Sequence, residues 1–412
     1  MGMTPDVGID DINLYAGLLS ISSQEIARAR GFGDRELRIA QFDQRSVLPP
    51  LEDPVTLAVN AARPLLREGD PRDIDLLIVA TETGFDFAKS MSTYVHRHLG
   101  LGPQCRNFEV KHACFAGTAA LFMAAAWVAV TPGKRALVVC TDVARRHFGD
   151  PSELTAGSGA VAFTVGRDPR VLRLDPISGR ATHEVWDVAR PTPTTEHGDA
   201  ALSLASYLDL LEMAATDYKR AAGVGRLHDA FTHFVFHAPL ISLVEKAYAV
   251  LLELDDIDAS ADAARSGWRS RVEPGLRHNR QIGNLYSGSV FASLIALAES
   301  PAAREAPRVG VYSYGSGACA ELYGVEISPR APGVVGRHLV GDRLAERAPV
   351  SVQDYESAVR AFEDSVTNAE YEPRVSGEVA RLYARQDLLI LRGVRNHHRA
   401  YSSSQDGSYA AA

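Results

Sequence analysis

Short apolar runs recur along the chain at 73–80 (DIDLLIVA), 135–141 (RALVVCT), 159–166 (GAVAFTVG), 231–237 (FTHFVFH) and 308–315 (RVGVYSYG). Each is bounded by turn residues and is apolar at successive positions, which predicts strands buried on both faces. Patterns of helical period lie between them at 54–68, 88–99, 115–130, 203–220, 239–252 and 286–299. Strands alternating with helices predict an α/β protein. The alternation occurs twice, over 1–166 and 167–330, so two structurally similar halves are expected, although no sequence repeat is evident. From 331 to 412 the pattern weakens into a charge-rich extension with one clear strand, 388–394 (LLILRGV). The small, polar end SSSQDGSYAAA (402–412) is expected to be disordered.

Composition narrows the function without naming it. With 412 residues, 46% of them hydrophobic and 23% charged, the chain is an ordinary globular protein large enough for a substantial core. Its net charge of −8 argues against non-specific nucleic-acid binding, though a local basic patch for an acidic partner remains compatible with it. No uninterrupted apolar run of membrane length and no signal-type opening occur, so no membrane association and a cytoplasmic location are expected. The four cysteines (Cys105, Cys114, Cys140 and Cys319) form no CxxC pair, which predicts reduced thiols, no disulfide framework and no metal site.

Chemistry first shows in EVKHACFAGTAALFMAAAWVAV (109–130), where Cys114 precedes a strong helix of small residues. Most free cysteines are merely buried. A thiol at a helix N-terminus, however, gains from unpaired N–H groups that favour the thiolate. Two further residues share the setting. Glu82 follows the apolar strand 73–80 in ATETGFDFAKS, and His237 ends another in FVFHAPL. Function collects at the carboxyl ends of strands in α/β sheets. Either residue alone reads as readily as a helix cap; a carboxylate, a thiol and an imidazole all at element junctions are hard to explain that way.

With these residues in place, the sequence resembles the 3-hydroxy-3-methylglutaryl synthases of the thiolase superfamily, whose Glu, Cys and His motifs fall on Glu82, Cys114 and His237. The resemblance runs in order from VGIDDINLY (7–15) to YSYGSGACAELYGV (312–325). Within the family it is nearest the hydroxymethylglutaryl-acyl-carrier-protein synthases of polyketide β-branching, through 52–64, 84–101, 108–121 and 198–212. It implies a thiolase-like fold of two duplicated βαβαβαββ-type halves in a five-layered αβαβα core, residues 1–166 carrying Glu82 and Cys114 and 167–330 carrying His237 and Asn284. It implies a homodimer, acyl carrier proteins as donor and acceptor partners with small acyl thioesters, and no cofactor beyond the phosphopantetheine or coenzyme A handle.

It further implies a non-decarboxylative Claisen-like condensation. Cys114 would accept an acetyl group, a task for a nucleophile that also leaves well. Glu82 would deprotonate the acetyl methyl, and backbone N–H groups of YGSGA (314–318) would stabilise the enolate, with Ser316 the family position. His237 would orient the acceptor ketone, Asn284 would bond the same region, Tyr286 would line the pocket and Arg30 would meet the pantetheine phosphate. A type III ketosynthase shares the Cys, His and Asn pattern but has no use for Glu82. The same three residues also suit a coenzyme A-dependent mevalonate-pathway synthase, and the fold by itself would suit an inactive carrier-binding homologue. Ser242 stands where mevalonate-pathway relatives carry a coenzyme A-binding lysine, with Lys246 one turn on. Arg30, Lys219, Arg220 and Lys246 are the candidate carrier-docking cations. His112 before the nucleophile and Arg145–Arg146 in TDVARRHF depart from the family pattern.

Overall fold

The computed structural model describes residues 6–145, 147–258, 262–305 and 307–406. A nine-stranded sheet organises them, in the order His233–Phe236, Arg308–Gly315, Cys319–Ile327, Leu172–Thr182, Val7–Tyr15, Ser158–Arg167, Arg135–Val143, Ile74–Ala80 and Arg106–Val110. Strands from before residue 168 fill one side and strands from after 171 the other. Only Gly8 paired with Arg173 and Ile9 with Leu172 join them, antiparallel. Ile74–Ala80 runs parallel to both its neighbours, as does His233–Phe236 to Arg308–Gly315.

Successive apolar residues in one strand serve different layers. Leu76, Ile78 and Ala80 face a core shared with helices Ala116–Val130 and Ser289–Ala298, and Val235, Val309 and Val311 of the other half enter that same core. Leu77 and Val79 point oppositely, to helices Pro54–Ala62 and Ser92–Leu99. Phe234, Phe236, Tyr312 and Tyr314 point to helices Ala200–Ala222 and Ile241–Leu254. Two helices are thus held between two half-sheets with helices outside both, the five-layered thiolase-like arrangement. The middle layer holds the apolar stretch Ala113–Val130, which is long and apolar enough to cross a membrane; here it packs against Arg135–Val143, Ser158–Arg167 and Ile74–Ala80, and Phe122 meets Tyr323 of the other half edge-on at 5.2 Å. Its inner face is buried in the sheet layers, while Met123 and Val130 stay exposed.

The extension is more interlocked than a surface tail. It forms helices Ala331–Gly336, Val340–Ala345, Val352–Thr367 and Gly377–Ala384 and a hairpin, Leu389–Arg395 with His398–Ser403. Its Arg337 and His338 bond the buried Asp11, and Arg343 bonds Asn13, both on the first strand. Arg399 and Tyr401 both reach Asp53 Oδ2, at 2.8 and 2.7 Å. Ser402 and Ser403 pair with Ile390 and Leu389, so the expected disorder does not begin at 402; residues 407–412 lie outside the described residues.

Candidate active site

The apolar strand Ile74–Ala80 delivers Glu82 to the sheet's carboxyl edge, and a buried carboxyl fixes the backbone there. Asp142, at the end of the neighbouring strand, accepts at Oδ1 from Thr81 Oγ1 (3.0 Å), the Glu82 N–H (2.9 Å) and Thr83 Oγ1 (3.0 Å). Its Oδ2 has no partner among the described residues. Burial, and then the Glu82 charge, push the Asp142 carboxyl well above the usual carboxylate range. Through these three hydrogen bonds Asp142 clamps the turn from which Glu82 projects.

Cys114 sits in a tight turn before helix Ala116–Val130, following Ala113 at φ 40°. The turn closes through the Phe115 N–H to His112 O (3.0 Å) and the Ala116 N–H to Ala113 O (3.3 Å). Gly315 lets the turn approach the sheet: a Cβ there would come within 2.6 Å of Phe115 N and 2.7 Å of His112 O. The Cys114 Sγ is 3.8 Å from Glu82 Oε2, both groups partly buried. The fold thus joins two residues that stand 32 positions apart along the chain.

His237 is buried against Tyr207, which is also within electrostatic reach of Cys114. Its N–H donates to Tyr312 O (2.8 Å) and its carbonyl accepts from Tyr207 Oη (2.7 Å), with the two rings 6.4 Å apart. The Tyr207 and Tyr314 hydroxyls both lie within reach of the Cys114 charge. Burial pulls His237 down to about 3, and its Nδ1 has no partner among the described residues. Burial therefore favours the neutral imidazole.

Asn284 lies in a bridge with Ala156; its Oδ1 accepts from the Tyr286 N–H (2.8 Å) and Ser289 Oγ (3.1 Å). With that oxygen committed, the amide NH2 is the end left to donate. Tyr286, at φ 49°, packs with Ala144 and Ala156 against Cys114. Its hydroxyl accepts from Arg190 Nη2 (2.9 Å) and donates to Glu196 Oε2 (3.2 Å). Arg190 belongs to the hairpin Val188–Thr192/Thr195–Gly198, rooted by buried Asp187, which accepts from Tyr314 Oη and the Gly317 N–H, each at 3.0 Å.

Other expectations meet specific competition. In the YGSGA turn the Gly317 N–H is taken by Asp187 and the Ala318 N–H by His183 O (2.7 Å), because the hairpin root docks there. The turn therefore offers fewer free donors than its glycines suggest; Ser316 is half-buried at its tip. Arg30 is held by Glu153 through Nε (3.0 Å) and Nη2 (3.1 Å) and by Glu356 through Nη1 (2.6 Å). A phosphate would have to compete with both carboxylates. Lys219 binds Leu254 O (2.8 Å) and Asp255 (3.1 Å), and Arg220 pairs with Asp217, whereas Lys246 is exposed. His112 is exposed and stacks edge-on against Phe115. Arg145 pairs with Glu363; Arg146 lies outside the described residues.

Sequence reasoning missed Asp142, Asp187, Arg190, Glu196 and Tyr207. Asp142 carried a usable signal, since it ends an apolar strand just as Glu82 and His237 do. Arg190 and Glu196 carried none, because their hairpin has neither apolar alternation nor a marked turn dipeptide.

Comparison with known proteins places this geometry. Residues 4–170 match the hydroxymethylglutaryl-coenzyme A synthase N-terminal model, and 255–403 the corresponding C-terminal model. The chain is 34% identical over 365 residues to the polyketide biosynthesis 3-hydroxy-3-methylglutaryl-ACP synthase PksG of Bacillus subtilis, covering 85% of this chain and 87% of that one. It is 33% identical to the hydroxymethylglutaryl-CoA synthase of Enterococcus faecalis, covering 85% and 91%. The crystal structure of the curacin biosynthetic pathway HMG synthase in complex with apo donor-ACP superposes with a TM-score of 0.90 at 32% identity, covering 97% of this chain and all of that one. The chain belongs to the hydroxymethylglutaryl-coenzyme A synthase family of thiolase-fold enzymes.

Proposed function

We propose that this enzyme condenses an acetyl group carried on Cys114 with a β-ketoacyl thioester on an acyl carrier protein, giving a 3-hydroxy-3-methylglutaryl-type product and so a β-branch in a polyketide. The observation that carries the chemistry is Glu82 Oε2 at 3.8 Å from Cys114 Sγ, which sets a base beside the carbon it must deprotonate. Cys114 attacks the donor thioester and expels the carrier thiol. Glu82 takes a proton from the acetyl methyl, and the enolate carbon adds to the acceptor ketone. Neutral His237 and the Asn284 NH2 bind that ketone oxygen and the alkoxide it becomes. Ser316 donates to the enolate oxygen, and Tyr286, which packs against Cys114, walls the acyl group. Water then cleaves the Cys114 thioester, leaving a free carboxylate on a product still bound to its carrier.

The PksG relative and the curacin synthase complex support a carrier-bound substrate, as does Ser242 in place of a phosphate-facing lysine. Exposed Lys246 is the best-placed cation for an acidic carrier, whereas Arg30 acts first as a tie between the start of the chain and the extension. No cofactor beyond the thioester handle is needed by this chemistry, and a cytoplasmic setting suits it. The halves 1–166 and 167–330 divide the work, the first supplying Glu82 and Cys114 and the second His237 and Asn284, with the described part of the extension, 331–406, bracing both. A homodimer fits the edge strand Arg106–Val110, which ends the sheet, and the exposed apolar side chains Met123 and Val130 on the adjoining helix.

The test offers acetyl and acetoacetyl groups on carrier proteins, and separately on coenzyme A, and follows product mass at low and raised salt. The carrier pair is expected to react faster, with an advantage that shrinks as salt rises. Equal turnover of the coenzyme A pair would replace this reading with a mevalonate-pathway one.

A further inference from the structure

One guanidinium nitrogen serves three groups at the site. Arg190 Nη2 is 3.3 Å from Glu82 Oε1 and 2.9 Å from Tyr286 Oη, and it pairs closely with Glu196 Oε2. The three charged side chains are only 12–17% exposed, so water screens their interactions weakly. Burial works against the Arg190 charge, and Tyr286, Glu82 and Glu196 together outweigh it, so the guanidinium stays firmly protonated. Asp187 ties the root of the hairpin carrying it to Tyr314 Oη and the Gly317 N–H.

We propose that Arg190 is the positioning residue for Glu82: it holds Oε1, leaves Oε2 aimed at the acyl group on Cys114, and shares its charge with Glu196 so that the carboxylate keeps its basicity. This rests on the base role given to Glu82 above. The two oxygens are already divided in this way, Oε1 toward Arg190 and Oε2 toward Cys114. A carboxylate free to rotate would spend part of its time with neither oxygen on the methyl, and small misplacements of a reacting group are costly. A full cation on Glu82 alone would favour its charged form and weaken it as a base. Glu196 prevents that by engaging the same nitrogen. Lysine is no equivalent, since its ammonium is a strongly hydrated point charge on a flexible stem and lacks the guanidinium plane that fixes the direction of these contacts.

Among the described residues, the groups facing Glu82 include Arg190 and, behind it, Glu196 from the hairpin, Cys114 from the nucleophile turn, Asp142 from the adjacent strand and Tyr286; Arg145 acts on the Arg190–Glu196 pair. The experiment measures the pH dependence of condensation by pre-acetylated enzyme for wild type, Arg190→Met, Arg190→Lys and Glu196→Gln, with acetyl loading and melting temperature recorded for each. Removing the cation in Arg190→Met should move the acid limb up by about one pH unit and slow condensation. Glu196→Gln, which removes the second carboxylate from Arg190, should move the limb down. Arg190→Lys should keep the limb near the wild-type position with a reduced maximal rate. A folded, loadable Arg190→Met with an unmoved limb overturns the inference, as does a Glu196→Gln limb that stays or moves up. Should Arg190→Met fail to fold, Glu196→Gln decides alone. Failure of wild type to load or condense would instead overturn the reading on which this rests.

Discussion

Glu82 Oε2 lies 3.8 Å from Cys114 Sγ, although the two residues come from different strand–helix junctions of the same half-sheet. The contact exists because Asp142 clamps one junction and Gly315 admits the other. From these supports follow predictions that separate loading from condensation.

Gly315→Ala tests the approach of the nucleophile turn. Its new methyl would lie 2.6 Å from Phe115 N, a backbone atom that cannot rotate away. We expect a loss of about 1–3 kcal/mol in unfolding free energy, as for other overpacked sites, together with slower acetyl loading. Thermal melting and burst loading measure the two effects.

The role proposed for His237 is that of a neutral group. Its proton affinity is depressed by burial to about 3 in the folded state, against the ordinary 6.5. A depressed value adds stability that is present above pH 6.5 and is lost as pH falls toward 3, since the unfolded chain binds the proton first. His237→Asn should remove that part of the acid sensitivity, visible in unfolding midpoints across this window. Its condensation rate should fall, because an amide replaces the imidazole facing the ketone. A wild-type rate that rose below pH 6, as imidazolium catalysis requires, would contradict the neutral assignment.

Glu52 gives the opposite slope. It is fully buried, with Tyr15 Oη on Oε1 at 2.6 Å, and burial pushes its carboxyl up to about 7 from 4.5. A raised value adds stability that is full below pH 4.5 and is lost as pH rises through 7. Glu52→Gln should therefore gain on wild type as pH rises from 4.5 to 7, while leaving acetyl loading measurable throughout.

Much of the site was legible in the sequence because strand ends announce themselves. The run LLIVA predicts its own burial, so a glutamate following it stands out, and the same reasoning marks His237. The long helix after Cys114 was equally plain. The first strand, Val7–Tyr15, was not read as a strand, because Asp10, Asp11 and Asn13 interrupt its apolar pattern. Those polar groups are satisfied from far away. Arg170 bonds Asp10, and the extension's His338 and Arg343 bond Asp11 and Asn13, more than 320 residues distant. Strand Leu172–Thr182 was hidden similarly by Pro176 and Gly179. Gly179 is needed because helix Ala200–Ala222 crosses so closely that a Cβ would meet Ala214 O at 2.1 Å. Long-range partners of this kind leave no local periodicity to detect.

The competition around Arg30 was likewise unreadable. Its partners Glu153 and Glu356 are 123 and 326 residues away, and only the folded chain brings them together. Arg30→Ala should lower the melting temperature by loosening the extension, with a smaller effect on the Michaelis constant for the carrier-bound donor. A large donor effect with unchanged stability would restore a direct phosphate-binding role.

The central claim is that Cys114 carries the acetyl group and Glu82 removes its proton. Cys114→Ser should give no acetyl loading, and Glu82→Gln should load normally yet condense about 10²–10⁴-fold more slowly. The most direct measurement loads wild type and Glu82→Gln with acetyl donor in deuterium oxide, without acceptor, and follows the mass of the acetylated Cys114 peptide. The account predicts that the wild-type acetyl group gains deuterium and that the Glu82→Gln acetyl group does not. A Glu82→Gln enzyme that exchanged at the wild-type rate would contradict it.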